Sequence, residues 1–292
     1  MTQLALQPIN NPARIIAGLD VSETTKQDYK YRIGLFMGFV KDNGLNPDTF
    51  RQFKNYLASR NDIAIATKNK YLATAKVFLK EYSRKGLLPD ITQNTKGFSQ
   101  SKKHKRDGLN DEEIKKFADY LRDHPDTRLK AIVSLLVYQG LRQVEIARLD
   151  VEDLELKRKV AFVRGKGQDD KEPVDLHPET IKALEDYLDH YNLKSGALFV
   201  SHSHNHFRQR LTTRAIRELV KENLTKLNID KTIHGFRHYF TTTLIKTYKG
   251  DLLEVAGYTR HKGLEMLQVY NDNIKKQADL PRYYKAFAGV SF

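Results

Sequence analysis

A chain of 292 residues with 40% hydrophobic content and no cysteine can bury two cores, but it has no disulfides, thiolate nucleophiles or cysteine-based zinc sites, which fits a reducing compartment. It has no long apolar run, and its opening MTQLALQPINNPAR has no basic stretch followed by an apolar one, so neither a membrane span nor a secretory leader is expected and the expected location is cytoplasmic. The formal charge of +14 calls for a polyanionic partner, because such an excess repels itself until phosphates offset it.

That charge is unevenly spread: residues 1–107 hold 19 Lys and Arg against 9 Asp and Glu, and the rest of the chain holds 31 against 27. Basic residues interleaved with aromatics over several helical segments favour nucleic acid over an anionic membrane surface. Residues 1–20 show no periodicity and read as a mobile arm. Ser22 is placed to cap a helix with Tyr29, Ile33, Phe36, Met37 and Val40 on its apolar face, and Gly44 to end it. A second helix is expected from Asn46, with Pro47 in its first turn and Phe50, Phe53, Tyr56 and Leu57 buried, and a third from Thr67 to Gly86, followed by a short helix near Pro89. Residues 21–95 thus form a small all-helical domain whose outward lysines (Lys26, Lys30, Lys54, Lys68, Lys70, Lys76, Lys80) suit a duplex or simply solvent.

Residues 96–108, within TKGFSQSKKHKRDG, lack apolar periodicity and read as a basic linker in which Lys102, Lys103, Lys105 and Arg106 either follow a DNA groove or form a charged spacer. A longer domain, 109–292, follows. Asn110 or Asp111 caps a helix with Ile114, Phe117 and Leu121, and Asp126 opens another through Val137. QGLRQVEIARL turns at Gly140 into a short helix, and KVAFVRGKGQDDKEPVDL forms two strands around a glycine-rich turn. A helix from Pro178 to about Tyr191 and a strand at Leu198–Val200 that closes the small sheet come next. The remaining helices are expected near Thr212–Leu227, Thr232–Thr247, Asp251–Ala256 and Leu264–Tyr270. The fold class is therefore mainly α with a small antiparallel β-sheet, a helical domain followed by a mixed α/β one.

Several residues have the chemistry to act on phosphate. Arg142 stands at a helix start, where free N–H groups already favour an anion, and adds a bidentate fork, with Glu145 one turn on to hold it. Lys166 lies between two glycines at the hairpin tip, where it is either a reaching amine or merely exposed. No GxxxxGK[ST] surrounds it, so ATP binding lacks support. His234 and Arg237 are three apart on one helical face, with His238 pointing elsewhere in a structural role. His261 precedes Tyr270 by nine residues. A tyrosine hydroxyl needs cationic neighbours to act as a nucleophile, and Tyr258, Tyr283 and Tyr284 compete with Tyr270 for that role. His202, His204 and His206 alternate in SHSHNHF, as three metal-facing imidazoles on a strand would; a polar turn is the competing reading, and no metal or other cofactor is expected.

Taken in order, Arg142, Lys166, His234, Arg237, His261 and Tyr270 resemble the Arg…Lys…His-x-x-Arg…His…Tyr signature of the tyrosine recombinase (phage integrase) family, Xer-like site-specific recombinases included. The resemblance extends to the domain order: a core-binding domain that clamps DNA, a linker and a catalytic domain. It implies that Tyr270 attacks the scissile phosphate to leave a 3′-phosphotyrosyl enzyme and a free 5′-hydroxyl, without ATP or metal. Arg142 and Arg237 would bind the non-bridging oxygens, Lys166 would protonate the departing oxygen, His234 and His261 would assist, and Glu145 would support the first arginine. It also implies double-stranded DNA as partner, a tetramer on two duplexes, possible accessory proteins, and an apolar tail around Tyr283, Tyr284, Phe287 and Phe292 docked either in a neighbour or on its own domain. One departure stands out: where the family has an apolar-Gly-His sequence, AGYTRHKG places Tyr258, Thr259 and Arg260 between Gly257 and His261, so the setting of His261 is expected to differ. DNA relaxation of the type IB topoisomerase kind, or a DNA-binding accessory protein without catalysis, would be the other functions.

Overall fold

The computed structural model describes residues 12–100, 108–165, 167–261 and 263–289. The chain forms two compact units, Met1–Lys102 and Lys103–Phe292.

The first unit is helical. It begins with α1 (Pro12–Ala17), whose Ile15 and Ile16 are buried among the aromatics of the bundle. Most of the described part of the expected arm is therefore a packed helix; six residues with two adjacent apolar positions are too short to show a period. Helix α2 (Glu23–Asn43) starts where the Ser22 hydroxyl accepts the Thr25 N–H and ends at Gly44. Helix α3 (Thr49–Ser59) begins later than Pro47 suggests, because Asn46 Oδ1 accepts the Asp48 N–H and holds Asn46–Asp48 as a turn. Helix α4 (Ile65–Arg84) completes the bundle, and Pro89 leads into a turn rather than a helix.

Phe36, Phe53 and Phe78 meet edge to face, with ring centroids 5.0 and 6.5 Å from that of Phe36. Lys68 does not face outward: it is buried, and its amine donates to the Ala58 carbonyl at 2.9 Å. Part of the expected linker is also seated, since Asn69 exchanges two hydrogen bonds with the backbone of Phe98. Lys102, Lys103, Lys105 and Arg106 lie outside the described residues.

The second unit opens on α5 (Asp111–Asp123), fixed by a reciprocal capping box between Asn110 and Glu113, and α6 (Thr127–Tyr138), capped by Asp126. After the Gly140 turn comes α7 (Gln143–Arg148). Strands β1 (Leu154–Glu155), β2 (Val160–Arg164) and β3 (Lys171–Asp175) form an antiparallel sheet in the order β1-β2-β3. The strand expected at Leu198–Val200 does not close this sheet; β1 does. Ala197 and Val200 make only isolated bridges, to Asp150 and Arg210. An apolar pattern of three residues names a strand but not its partner.

Helices α8 (Pro178–Tyr191), α9 (Thr213–Lys226), α10 (His234–Thr247), α11 (Leu252–Thr259) and α12 (Leu264–Lys285) complete the unit. Helix α12 runs well past Tyr270 through Pro281, so the expected tail up to Lys285 is a continuation of that helix. Tyr283, Tyr284 and Phe287 are exposed on this extension, and Phe292 lies outside the described residues. One core, containing Ile132, Leu135, Leu136, Ile146, Leu184 and Phe236, joins α5–α9 to α10, and a smaller cluster of Ile245, Val255, Leu267 and Tyr270 joins α10, α11 and α12. None of the described helices is long and apolar enough to cross a membrane.

Gly140 fixes the crossing of α6, α7 and α10. Its φ of +57° suits glycine, and a Cβ there would run into the Phe240 ring. Gly140→Ala should lower stability by at least about 2 kcal/mol in urea denaturation through left-handed strain and overpacking. A second substitution, Phe240→Ala, should recover part of the overpacking cost; strictly additive losses would contradict the clash.

Candidate active site

Five segments converge on a cleft of about 530 Å³ lined by Arg142, Glu145, Gly165, Gln168, Glu172, Gly257, Arg260 and His261. The turn after α6 and the cap of α7 bring Arg142 and Glu145, the β2–β3 turn borders the cleft through Gly165 and Gln168, and the α11 end supplies Arg260 and His261. Arg237 of α10 is bonded to carbonyls on two of these segments, Gly140 and Thr259, and Tyr270 of α12 lies close enough to feel its charge.

Glu145 is fully buried. Its Oε1 accepts from Arg142 Nη1 at 2.7 Å, and its Oε2 accepts both the Arg142 backbone N–H at 2.8 Å and Arg260 Nη2 at 2.9 Å. The carboxylate thus reaches back over its own helix start as a capping-box glutamate does, while also holding the arginine's side chain.

Arg237 is 4% exposed, and its guanidinium donates to the Gly140 carbonyl at 2.5 Å and the Thr259 carbonyl at 2.6 Å. Burial, followed by the repulsion of Arg142, lowers its pKa to about 10, with Glu145 opposing; it remains a cation at neutral pH.

His261 Nδ1 lies 2.7 Å from Thr259 Oγ1, and the Thr259 hydroxyl donates to the Val255 carbonyl at 2.8 Å. The Thr259 oxygen is therefore an acceptor for an Nδ1 proton, an assignment that leaves the Nε2 lone pair for chemistry. Burial, with the charges of Arg237, Arg142, Arg260 and His234 behind it, holds His261 down at about 4. It is a neutral imidazole over the physiological range. His234, the first residue of α10, is exposed and close enough to enter that balance.

Tyr270 is 5% exposed, its ring set edge-on to His238 with centroids 4.5 Å apart. Burial raises its pKa above the ordinary tyrosine value and the charge of Arg237 pulls it back. The competing tyrosines are placed differently: Tyr258 is 46% exposed and tilted against Tyr248, and Tyr283 and Tyr284 stand out on the end of α12.

The structure brings together Arg142, Glu145, Arg237, His261 and Tyr270, with His234 at the edge. Lys166 lies outside the described residues, although Gly165 and Gln168 beside it border the cleft. His202 does not join a metal-facing row: its ring stacks on Tyr191 at 4.0 Å, and His204–His206 is a short 3₁₀ turn that exposes both imidazoles. Among the described residues no group of three or more His, Cys, Asp or Glu could hold a metal ion. Three contributors were not legible as site residues: Thr259, whose hydroxyl sets His261; the Gly140 carbonyl, which anchors Arg237; and Arg260, which shares Glu145. In the sequence Gly140 reads only as a turn, and Thr259 and Arg260 only as residues between Gly257 and His261.

Residues 108–277 match the phage integrase family. The chain belongs to that family. It is similar to the tyrosine recombinase XerC of Leptospira interrogans (26% identical over 263 residues, covering 85% of this chain and 83% of that one) and to the tyrosine recombinase XerD of Lacticaseibacillus casei (24% over 282 residues, covering 91% and 92%). Among solved structures, XerH bound to a palindromic difH substrate superposes with a TM-score of 0.72 at 18% identity, covering 89% of this chain and 79% of that one. A lambda integrase tetramer on a Holliday junction superposes with 0.69 at 14%, covering 89% and 75%. These likenesses extend the shared fold over both units.

The state of His261 can be read in solution. With a folded pKa near 4 against an ordinary 6.5, the unfolded chain binds a proton that the folded chain refuses between those values, so stability falls as pH drops through that window. Urea denaturation of wild type and His261→Gln from pH 7 to 4 should show the variant losing less with acid, the slopes differing by up to about 1.4 kcal/mol per pH unit. Parallel curves would contradict a neutral, half-buried His261.

Proposed function

We propose that this tyrosine recombinase cuts duplex DNA with Tyr270, acting on a phosphate held by the arginines of the same chain. The observation that carries this reading is the pairing of a buried tyrosine with a buried, still charged Arg237. Tyr270 supplies the attacking oxygen. As its bond to phosphorus forms, the bond to the 5′-oxygen breaks, leaving a 3′-phosphotyrosine and a 5′-hydroxyl; attack by a 5′-hydroxyl of the partner strand reverses the step. The diester energy is conserved in the phosphotyrosine.

Arg142 and Arg237 neutralise the non-bridging oxygens as charge builds in the transition state. Two donors of Arg237 are spent on carbonyls, which fixes the plane of the fork while leaving its other N–H groups for phosphate. In this reading His261 Nε2 takes the tyrosine proton and His234 donates a hydrogen bond to phosphate. Lys166 is assigned the proton for the leaving 5′-oxygen, through the β2–β3 turn that borders the cleft.

The first unit acts as the core-binding clamp, and the basic residues of segment 96–108 contact the phosphates of the duplex. Strand exchange uses a tetramer on two duplexes, in which the exposed aromatics at and just beyond the end of α12, Tyr283, Tyr284 and Phe287, dock on a neighbouring copy. The protein works in the cytoplasm, and accessory proteins direct the reaction. The recombinase names of the relatives favour exchange over simple relaxation, and the assembled site disfavours a catalytically inactive accessory role.

Two experiments test these assignments. Nicked duplexes with a randomised core, incubated with protein and resolved under denaturing conditions, should trap a covalent adduct with wild type and none with Tyr270→Phe, which should still shift duplex DNA in native gels. An adduct persisting in Tyr270→Phe would overturn the assignment. Replacing Lys102, Lys103, Lys105 and Arg106 with Gln should weaken binding to every duplex and flatten the log affinity against log salt slope by about 0.9 per lost phosphate contact. An unchanged slope would make the segment a spacer.

A further inference from the structure

The position before His261 carries the departure from the family pattern, and the structure gives it a place in the site. Arg260 caps α11 in the left-handed conformation, with φ +52°. That turn directs its side chain inward, where it is 11% exposed and meets Glu145 Oε2 at 2.9 Å.

Glu145 has no need of this partner for neutralisation. Arg142 already pairs with its other oxygen at 2.7 Å and donates its backbone N–H as well. Arg260 therefore adds a third guanidinium to a region that already holds Arg142 and Arg237, against two carboxylates, Glu145 and Glu172 at the cleft wall, so one positive charge stays in excess. The charge is buried at a cost: desolvation, the largest influence on Arg260, pushes its pKa down, and Nη1 is enclosed with no hydrogen-bond partner among the described residues. Burying an under-compensated guanidinium opposes folding. A negatively charged group between Arg142, Arg237 and His261 would offset that cost.

The bond has a mechanical side too. Arg260 and Thr259 are consecutive; the first holds Glu145 and the second gives its carbonyl to Arg237 at 2.6 Å. The end of α11 is thereby tied to both phosphate-facing arginines, one directly and the other through the carboxylate.

Resting on the recombinase reading above, we propose that Arg260 is a positioning residue for strand cleavage. It acts through Glu145 to hold Arg142 in register, and it places a third positive charge behind the scissile phosphate. It thereby supplements the two family arginines in stabilising the negative charge that builds on the non-bridging oxygens.

The test uses a nicked duplex selected by adduct formation from the randomised pool, made with either an ordinary scissile diester or a methylphosphonate that lacks one charged oxygen. With the diester, Arg260→Gln should slow single-turnover cleavage by about 100-fold, the size of effect seen when one charge-stabilising donor is removed. Duplex affinity should stay unchanged. With the methylphosphonate the variant should cleave at nearly the wild-type rate, because the charge that Arg260 serves has gone. An equal loss on both substrates would reduce Arg260 to a structural role and overturn the proposal, as would full activity on the diester. If Arg260→Gln fails to fold, Arg260→Lys takes its place: its loss must again be smaller on the methylphosphonate, and equal losses overturn the proposal. Failure of wild type itself to form an adduct through Tyr270 would instead overturn the underlying recombinase assignment, so the two failures are distinguishable.

Discussion

The guanidinium of Arg237 holds three stretches of chain in one place. From the first turn of α10 it reaches the carbonyl that ends the α6 turn at Gly140 and the carbonyl of Thr259 at the end of α11. Two residues beyond Gly140 stands Arg142; just beyond Thr259 stand Arg260 and His261. One buried cation therefore fixes the separation of the groups that would surround a phosphate, and it lies close enough to Tyr270 for each to alter the other's ionisation. Bonds from a charged donor to buried carbonyls are among the stronger neutral-acceptor hydrogen bonds. Breaking them would strand both the carbonyls and the charge.

The electrostatics follow from that arrangement. Three guanidiniums share the region with one fully buried carboxylate, Glu145, and with Glu172 at the cleft wall. Burial first, and then the charges of the neighbouring guanidiniums, depress Arg237 and keep His261 neutral, while burial raises the Tyr270 pKa and Arg237 pulls it back. In the proposed reaction a phosphate would relieve the repulsion among the arginines while presenting its phosphorus to the tyrosine, so that binding and activation would draw on the same excess of charge.

Much of this was legible in the sequence because it rests on local rules. Ser22 and Gly44 mark the ends of α2, Asn110 and Glu113 the start of α5, and the three-residue spacing of His234 and Arg237 their shared place in the first turn of α10. The parts that escaped are set by contacts between distant segments. Helix α1 owes its order to the aromatic bundle that buries Ile15 and Ile16, and β1 is a strand of two residues that exists through pairing with β2. Helix α12 passes through a proline that ordinarily signals a stop. Arg260 reads as an irregularity in a family motif until the fold brings Glu145, 115 positions earlier, against it.

The central claim is that the segments joined by Arg237 present a phosphate to Tyr270 and to no other tyrosine. Its most direct test is mass spectrometry of the wild-type covalent adduct after nuclease and tryptic digestion. A residual nucleotide attached through phosphate to Tyr270 is the predicted result. Attachment to Tyr258, Tyr283 or Tyr284 would contradict the account, because none of those side chains shares the buried site beside Arg237.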